Sequence, residues 1–254
     1  MKTGDNYQGL AWRYIAVIWG LLLLMPLGLM WQQTQMFPLL DLTSSLAQGL
    51  YWVTWSGTTP YGVATILLVL AYCARRMTRQ VWLSLLLAVT LSQGVGLMLN
   101  QQLKLHFKEH RPDITWLAER QALDATYFYQ QPQAQRRVMM AEAIATHQQQ
   151  LPMSARIAQQ WQQEVGYSFP SGHTQFAVSF ALIASFYLVA SGAAVLPLIL
   201  SAWALLMGLS RMLLGLHWPQ DVLGSTLVGG LLAVITLLVV RWAEMAWRAN
   251  VSKR

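Results

Sequence analysis

The stretch VGYSFPSGHTQFAVSFALIASFYLVASGAAVLPLILSAWALLMGLS, residues 165–210, runs for 46 residues without a formal charge. One helix of that length would extend about 70 Å, more than twice the ~30 Å hydrocarbon core of a bilayer. Two membrane helices are therefore predicted, with Ser191-Gly192 as the turn between spans near Gln175–Ala190 and Val195–Leu209. The whole chain agrees with that class. Of its 254 residues, 55% are hydrophobic and 11% are charged, where a soluble domain carries about 25% charged residues. The single cysteine, Cys73, lies inside an apolar run and excludes an intramolecular disulfide and a cysteine-based zinc site. The net charge of +7 alone would fit nucleic acid, but the basic residues are not spread as a nucleic-acid footprint.

Working outward, Tyr14–Met30 is nearly all apolar and long enough to cross. Lys2 and Arg13 precede it as in a signal peptide, but no small-x-small cleavage site follows, so it is expected to be a retained span. Pro38–Pro60 reads as an exposed loop with a short interfacial helix. Tyr61–Ala74, with part of Tyr51–Thr59, makes the second span and ends on Arg75, Arg76 and Arg79. Val81–Leu99 is the third and delivers the chain to Lys104. Val222–Val240 is the sixth, closed by Arg241, and Gly208, Gly215, Gly224, Gly229 and Gly230 suggest close helix packing. Asp113–Glu164 differs: it is charged and holds twelve glutamines. Ala134, Val138, Ala141 and Ala145 recur there at helical spacing, as do Ile157, Trp161 and Val165, with Pro132 and Pro152 as punctuation. The expected fold is an all-α integral membrane protein of six transmembrane helices. A small, mainly helical insert (113–165) stands between spans three and four, and 1–254 forms a single membrane-embedded domain.

Six crossings put both termini on one side. Nine of the seventeen Lys and Arg residues fall there in short segments, which marks that side as the cytoplasm. Parity then has a further consequence. Lys104–Pro112 follows span three, Pro170–His173 precedes span four, and Ser210–Asp221 joins spans five and six, so all three polar pieces emerge on the opposite face.

Their residue types suit one chemistry. Lys104 and Arg111 are seven apart, two turns on one face if the helix continues until Pro112 stops it. Arginine offers a planar fork to phosphate oxygens and lysine a compact charge. In Pro170-Ser171-Gly172-His173, a helix N-terminus with Ser171 as cap and Gly172 allowing close approach forms an anion cradle beside His173. Ser210-Arg211 adds a third cation. His217 and Asp221 are four apart, so a carboxylate can fix one imidazole nitrogen while the other faces substrate. Each piece alone also fits a bland role: a basic membrane-edge anchor, an ordinary helix start, or an interfacial histidine with a capping aspartate and Trp218 as anchor. Together they form the inventory for metal-free phosphoryl transfer, with one imidazole as nucleophile and another as acid and then base.

Lys104-x6-Arg111-Pro112, Pro170-Ser-Gly-His173 and Ser210-Arg211-x5-His217-x3-Asp221 resemble at every position the motif set of the type-2 phosphatidic-acid phosphatases, the lipid phosphate phosphatases. The six-span layout with its polar insert is most similar to the bacterial phosphatidylglycerophosphatase branch of that family. The resemblance implies that His217 attacks phosphorus to form a phospho-histidine, with Asp221 orienting it. His173 protonates the leaving oxygen and then activates water. Lys104, Arg111, Ser171, Gly172 and Arg211 hold the phosphate. It implies no metal or other cofactor, and no obligate protein partner or nucleic acid. The expected substrates are membrane lipids: phosphatidylglycerophosphate, phosphatidate and undecaprenyl diphosphate. A bacterial member of this topology would work at the periplasmic face of the inner membrane, with both termini cytoplasmic.

Rival readings are few. His106-Phe-Lys-Glu109-His110 fits the inverted zinc-peptidase pattern H-x-x-E-H, with Glu142 or His147 as the remaining ligand candidates, but Lys108 opposes a metal there. A non-catalytic lipid carrier would not need the two histidines and Asp221. Vanadate-dependent haloperoxidases share the phosphate cradle, but those are soluble. Glu164, six residues before the second motif, either shapes lipid access or caps its local helix.

Overall fold

The structure, a computed structural model, describes residues 2–251, and within these it is built from helices. They are α1 (Lys2–Trp31), α2 (Ser45–Trp55), α3 (Tyr61–Ala74), α4 (Arg79–Phe107), α5 (Pro112–Glu119), α6 (Ala125–Gln130), α7 (Gln133–His147), α8 (Ala155–Gln163), α9 (Gly172–Ala190), α10 (Val195–Leu213) and α11 (Pro219–Val251). Five of them, α1, α4, α9, α10 and α11, are long and apolar enough to cross a membrane.

The centre of the bundle is α9, against which α1, α3, α4, α10 and α11 all pack. Its residues from Ala177 to Val189 are buried throughout, which is why this segment carries no charge on any face. The outer helices show the complementary pattern. Leu24 on α1, Leu68 on α3, Leu97 and Met98 on α4, Leu198 on α10 and Leu238 on α11 are exposed apolar side chains, as a lipid-facing belt requires. Between α9 and α11 the backbones approach closely. A Cβ at Gly229 would lie 2.9 Å from the Gln175 carbonyl of α9, and on another face of α11 one at Gly230 would overlap the Trp19 ring of α1. Small residues here let the helices touch, as the glycine pattern suggested.

The second span departs from expectation. Tyr51–Trp55 belong to α2, a separate helix started by Ser44, whose side chain caps the amide of Ala47. A turn at Ser56–Pro60 intervenes before α3, which has only 14 residues, about 21 Å of helix. The Pro38–Pro60 region is accordingly more than an exposed loop. Ala47, Leu50, Tyr51 and Thr54 are buried, and α2 packs on α10 and α8.

The insert is helical, as its spacing indicated, and it has its own core. Ile114, Leu117, Phe128, Met140, Ile157, Trp161 and Val165 cluster with Phe37, Leu42 and Leu50 from the α1–α2 region. Trp161 is fully buried and donates Nε1–H to the Leu214 carbonyl at 2.9 Å. The expected face of α7 is corrected. Ala134 and Val138 are exposed, and Met140 and Ala143 face inward. Alanines fit either side of a helix, whereas burying a methionine gains more apolar area.

Candidate active site

The three polar pieces meet where the insert joins one end of the bundle. The first is delivered differently from expectation. α4 ends at Phe107, and Lys108 caps it in the left-handed conformation (φ 50°). Arg111 is extended and serves as N-cap of α5, with Pro112 at its first position. Pro112 thus starts a helix, where its fixed φ and missing N–H cost nothing. Lys104 and Arg111 do not share a helix face. They converge because the chain folds back over residues 164–168: Lys104 Nζ donates to the Tyr167 carbonyl, and Arg111 Nε donates to the Gly166 carbonyl at 2.8 Å.

The second piece keeps its expected form. Ser171 is the N-cap of α9 and accepts from the Thr174 amide, which leaves the first amides of the helix without intrahelical partners. In the third piece, α10 ends in a tight turn where Gly215 has φ 78°, a region favoured by glycine. The amides of Leu216 and His217 both donate to the Arg211 carbonyl at 3.0 Å, which folds His217 back over the arginine that precedes it. The Asp113 amide donates to the Gly215 carbonyl at 2.9 Å, and Arg111 Nη1 donates to that of Leu216 at 3.2 Å. First and third pieces are therefore stitched backbone to backbone.

His217 is buried, and its Nδ1 lies 3.2 Å from Asp221 Oδ2 in the first turn of α11. The same oxygen accepts from the Trp218 amide at 2.8 Å and from the Ser168 hydroxyl. An oxygen that already accepts from these two donors is an acceptor towards Nδ1–H as well, which fixes the tautomer and leaves Nε2 with its lone pair. Burial pushes the His217 imidazole well below its ordinary value, and the charges of Arg111, Arg211 and Lys104 push the same way. It is neutral at pH 7, the form a nucleophile requires.

Arg211 is fully buried. Its two terminal nitrogens fork onto Glu164, Nη1 to Oε1 at 2.9 Å and Nη2 to Oε2. Arg111 Nη1 reaches the same Oε2 at 3.3 Å. A carboxylate thus lies between two guanidinium groups, fixed further by Gln160 Nε2 at 3.1 Å. Burial raises the Glu164 carboxyl, but Arg211, His173 and Arg111 together hold it well below its usual range. The paired oxygens of this carboxylate stand where two phosphate oxygens would fit.

His173, one residue into α9, opens on two cavities. A cleft of about 780 Å³ runs between α3 and α4 and is lined by Val63, Ile66, Leu97 and Phe176. A smaller cavity of about 260 Å³ lies towards the insert and is lined by Trp55, Arg156, Gln160 and Glu164. Polar side chains, among them Gln93, Asn100 and Gln175, also line the first, and Tyr51 adds apolar surface to the second.

Sequence reading did not single out Ser168, Asn100 or Thr58. Asn100 Nδ2 donates to Gln175 Oε1 at 3.1 Å beside Gly172, and Ser168 holds Asp221. A lone polar residue next to a motif has no spacing signature, and only the fold reveals it. The zinc-peptidase pattern is not assembled. Glu109 and His110 lie beyond the end of α4, Glu109 accepts from Gln220 at 2.8 Å, and His110 stacks on Tyr129. Among the described residues no three His, Cys, Asp or Glu side chains group as metal ligands.

Comparison with known proteins bears on this geometry. The PAP2 superfamily profile matches residues 81–245. Phosphatidylglycerophosphatase B of Escherichia coli strain K12 is 34% identical over 239 residues, covering 90% of this chain and 89% of that protein. The protein of the same name from Shigella flexneri matches equally. That of Haemophilus influenzae is 30% identical over 199 residues, covering 74% of this chain and 81% of the relative.

Proposed function

Because this chain belongs to the PAP2 superfamily and is a membrane lipid phosphatase, we propose that it hydrolyses phosphatidylglycerophosphate to phosphatidylglycerol, and also phosphatidate and undecaprenyl diphosphate, through a phospho-histidine on His217. The observation that carries this reading is the buried His217–Asp221 pair beside the Arg111–Arg211 clamp.

The lipid phosphate displaces Glu164 from the two arginines. Lys104, Ser171 and the Gly172 amide complete its cradle. His217 Nε2 attacks phosphorus, so that a P–N bond forms as the P–O bond to the lipid breaks. His173 gives its proton to the departing oxygen. Water then attacks phosphorus, its proton passes to His173, and the P–N bond breaks to release inorganic phosphate. Asp221 stays ionised and stabilises the ring while it carries positive charge. The arginines act on the charge of the phosphoryl oxygens, and every step uses side chains of this chain.

The cleft between α3 and α4 would admit the lipid sideways from the bilayer, with its acyl chains along the apolar wall. In this reading α3 is a sixth, short crossing. The site faces the periplasm of a bacterial inner membrane, and both termini are cytoplasmic. The arginine cluster at Arg75, Arg76 and Arg79 favours that orientation.

The test is phosphate release by the detergent-purified protein in EDTA, with the three lipids compared side by side. Release in chelator, abolished in His217→Ala, is expected. Activity that needs added zinc or magnesium would overturn the mechanism.

A further inference from the structure

Thr58 belongs to none of the three motifs and precedes the part of the chain that the family profile matches, residues 81–245. It sits in the turn between α2 and α3, yet its Oγ1 lies 2.9 Å from His173 Nε2. The same hydroxyl donates to the Thr54 carbonyl at 3.1 Å. A hydroxyl has one hydrogen, and with that hydrogen on Thr54 it offers His173 only a lone pair. In that arrangement His173 presents Nε2–H to the hydroxyl and keeps the lone pair on Nδ1.

The neighbouring backbone also holds the ring. A Cβ at Gly57 would lie 3.4 Å from His173 Cδ2 and 2.7 Å from Met207 Cε, so the turn presses directly against the imidazole edge. The turn itself is anchored from below. Thr54 Oγ1 lies 2.8 Å from Ser210 Oγ, which donates to the Met207 carbonyl, so Thr54 is the donor to Ser210. This places α2 in contact with the residue next to Arg211. Thr58 and His173 together form part of the wall of both cavities.

We propose that Thr58 is a positioning residue for the acid–base step: it fixes the ring orientation and tautomer of His173 from a segment outside the motif-bearing region. The proposal rests on His173 being the acid and base of the reaction. An oxygen that accepts from Nε2–H also favours the doubly protonated ring that an acid needs. The Thr58 hydroxyl is engaged with Thr54 and His173 and with none of Lys104, Arg111 or Arg211, so its loss should fall chiefly on the step in which the proton moves.

The experiment is steady-state phosphate release from phosphatidate in detergent micelles, with the full-length chain and the variants Thr58→Val, Thr58→Ser and His173→Ala. Thr58→Val keeps the shape and loses the acceptor. Its kcat should fall about tenfold or more, within the range of general acid–base contributions, with KM within roughly twofold of wild type. Thr58→Ser, which restores the hydroxyl, should recover most of that loss. Thr58→Ala replaces Val if the methyl group in place of the hydroxyl unfolds the turn, and the same readings apply. A Val variant with kcat within twofold of wild type, a loss carried by KM, or an equal loss in Ser and Val would each overturn the positioning role while leaving the His173 assignment standing. Near wild-type turnover in His173→Ala would instead remove the acid itself, and the role of Thr58 with it.

Discussion

The bundle around α9 and the cap built from α2 and the insert are both helical, but they are held by different means. The bundle buries a helix that is apolar on all sides, and its outer helices turn leucines outward. In a bilayer such leucines gain nothing by being buried, so close packing decides, as at Gly229 and Gly230. The cap has an aqueous-type core, with aromatic side chains such as Phe37, Trp116 and Trp161 in edge-to-face contact and polar residues outside. The candidate catalytic groups belong to neither core. They lie at the seam, where charged groups can be buried against one region and reached through the other. The bundle on one side and the cap with its own apolar cluster on the other hold three distant pieces of chain in register.

The largest expected effect comes from the seam. His217→Ala should lower turnover by about a thousandfold or more, because a missing nucleophile is not replaced by its neighbours. The melting temperature should stay close to wild type. Activity within tenfold of wild type would remove His217 from the mechanism.

Next, Trp161→Ala strikes the cap alone. Loss of a fully buried tryptophan costs about 3–5 kcal/mol, and the Leu214 carbonyl loses its donor. Activity should fall with the cap, while detergent extraction and helix content of the bundle persist. If bundle and cap instead unfold together, the two regions are one cooperative unit and the contrast between them fails.

Third, Glu164→Gln tests the resting clamp. Arg211, fully buried, would lose its charged partner, so the melting temperature should drop by several degrees. Inorganic phosphate should restore most of it, since it offers the same paired oxygens. No phosphate-dependent recovery would mean that the clamp is purely structural. The carboxyl is held well below its usual range, so Glu164 is charged from pH 5 to 8. As with any depressed carboxylate, its contribution to stability is present above its unfolded value and lost only as pH falls through the lower folded one. Substrate, and not pH in that window, has to open the clamp.

The smallest effect is expected within the bundle. Gly230→Ala would drive a methyl group into the Trp19 ring, costing about 1–3 kcal/mol if the ring cannot move aside. Thermal stability should fall with kcat per folded molecule unchanged. A change in KM or kcat would show that strain in the bundle reaches the seam.

The sequence by itself determined the class of fold, most of the long helices and the chemical inventory. Runs without charge admit only a membrane or a buried helix, and Lys104, Arg111, His173, Arg211, His217 and Asp221 combine residue types that few functions need together. The cap at Ser171 was legible too, since it sits just before α9 and caps it, whereas Ser44 and Ser154 were recognised as caps only in the structure. What only the tertiary structure decided concerns approach between segments far apart in the chain. Helical spacing would put Lys104 and Arg111 on one face. They meet instead through a loop, because the left-handed cap at Lys108 ends the helix first. α2 separates from α3 because its apolar residues pack on α10 of the bundle and α8 of the insert. Glu164 and Thr58 acquire their partners at Arg211 and His173 by folding alone. Local pattern records whether a residue prefers lipid, water or a helix end. It holds no record of which distant cation or imidazole will lie within 3 Å, since that distance depends on the packing of every helix in between.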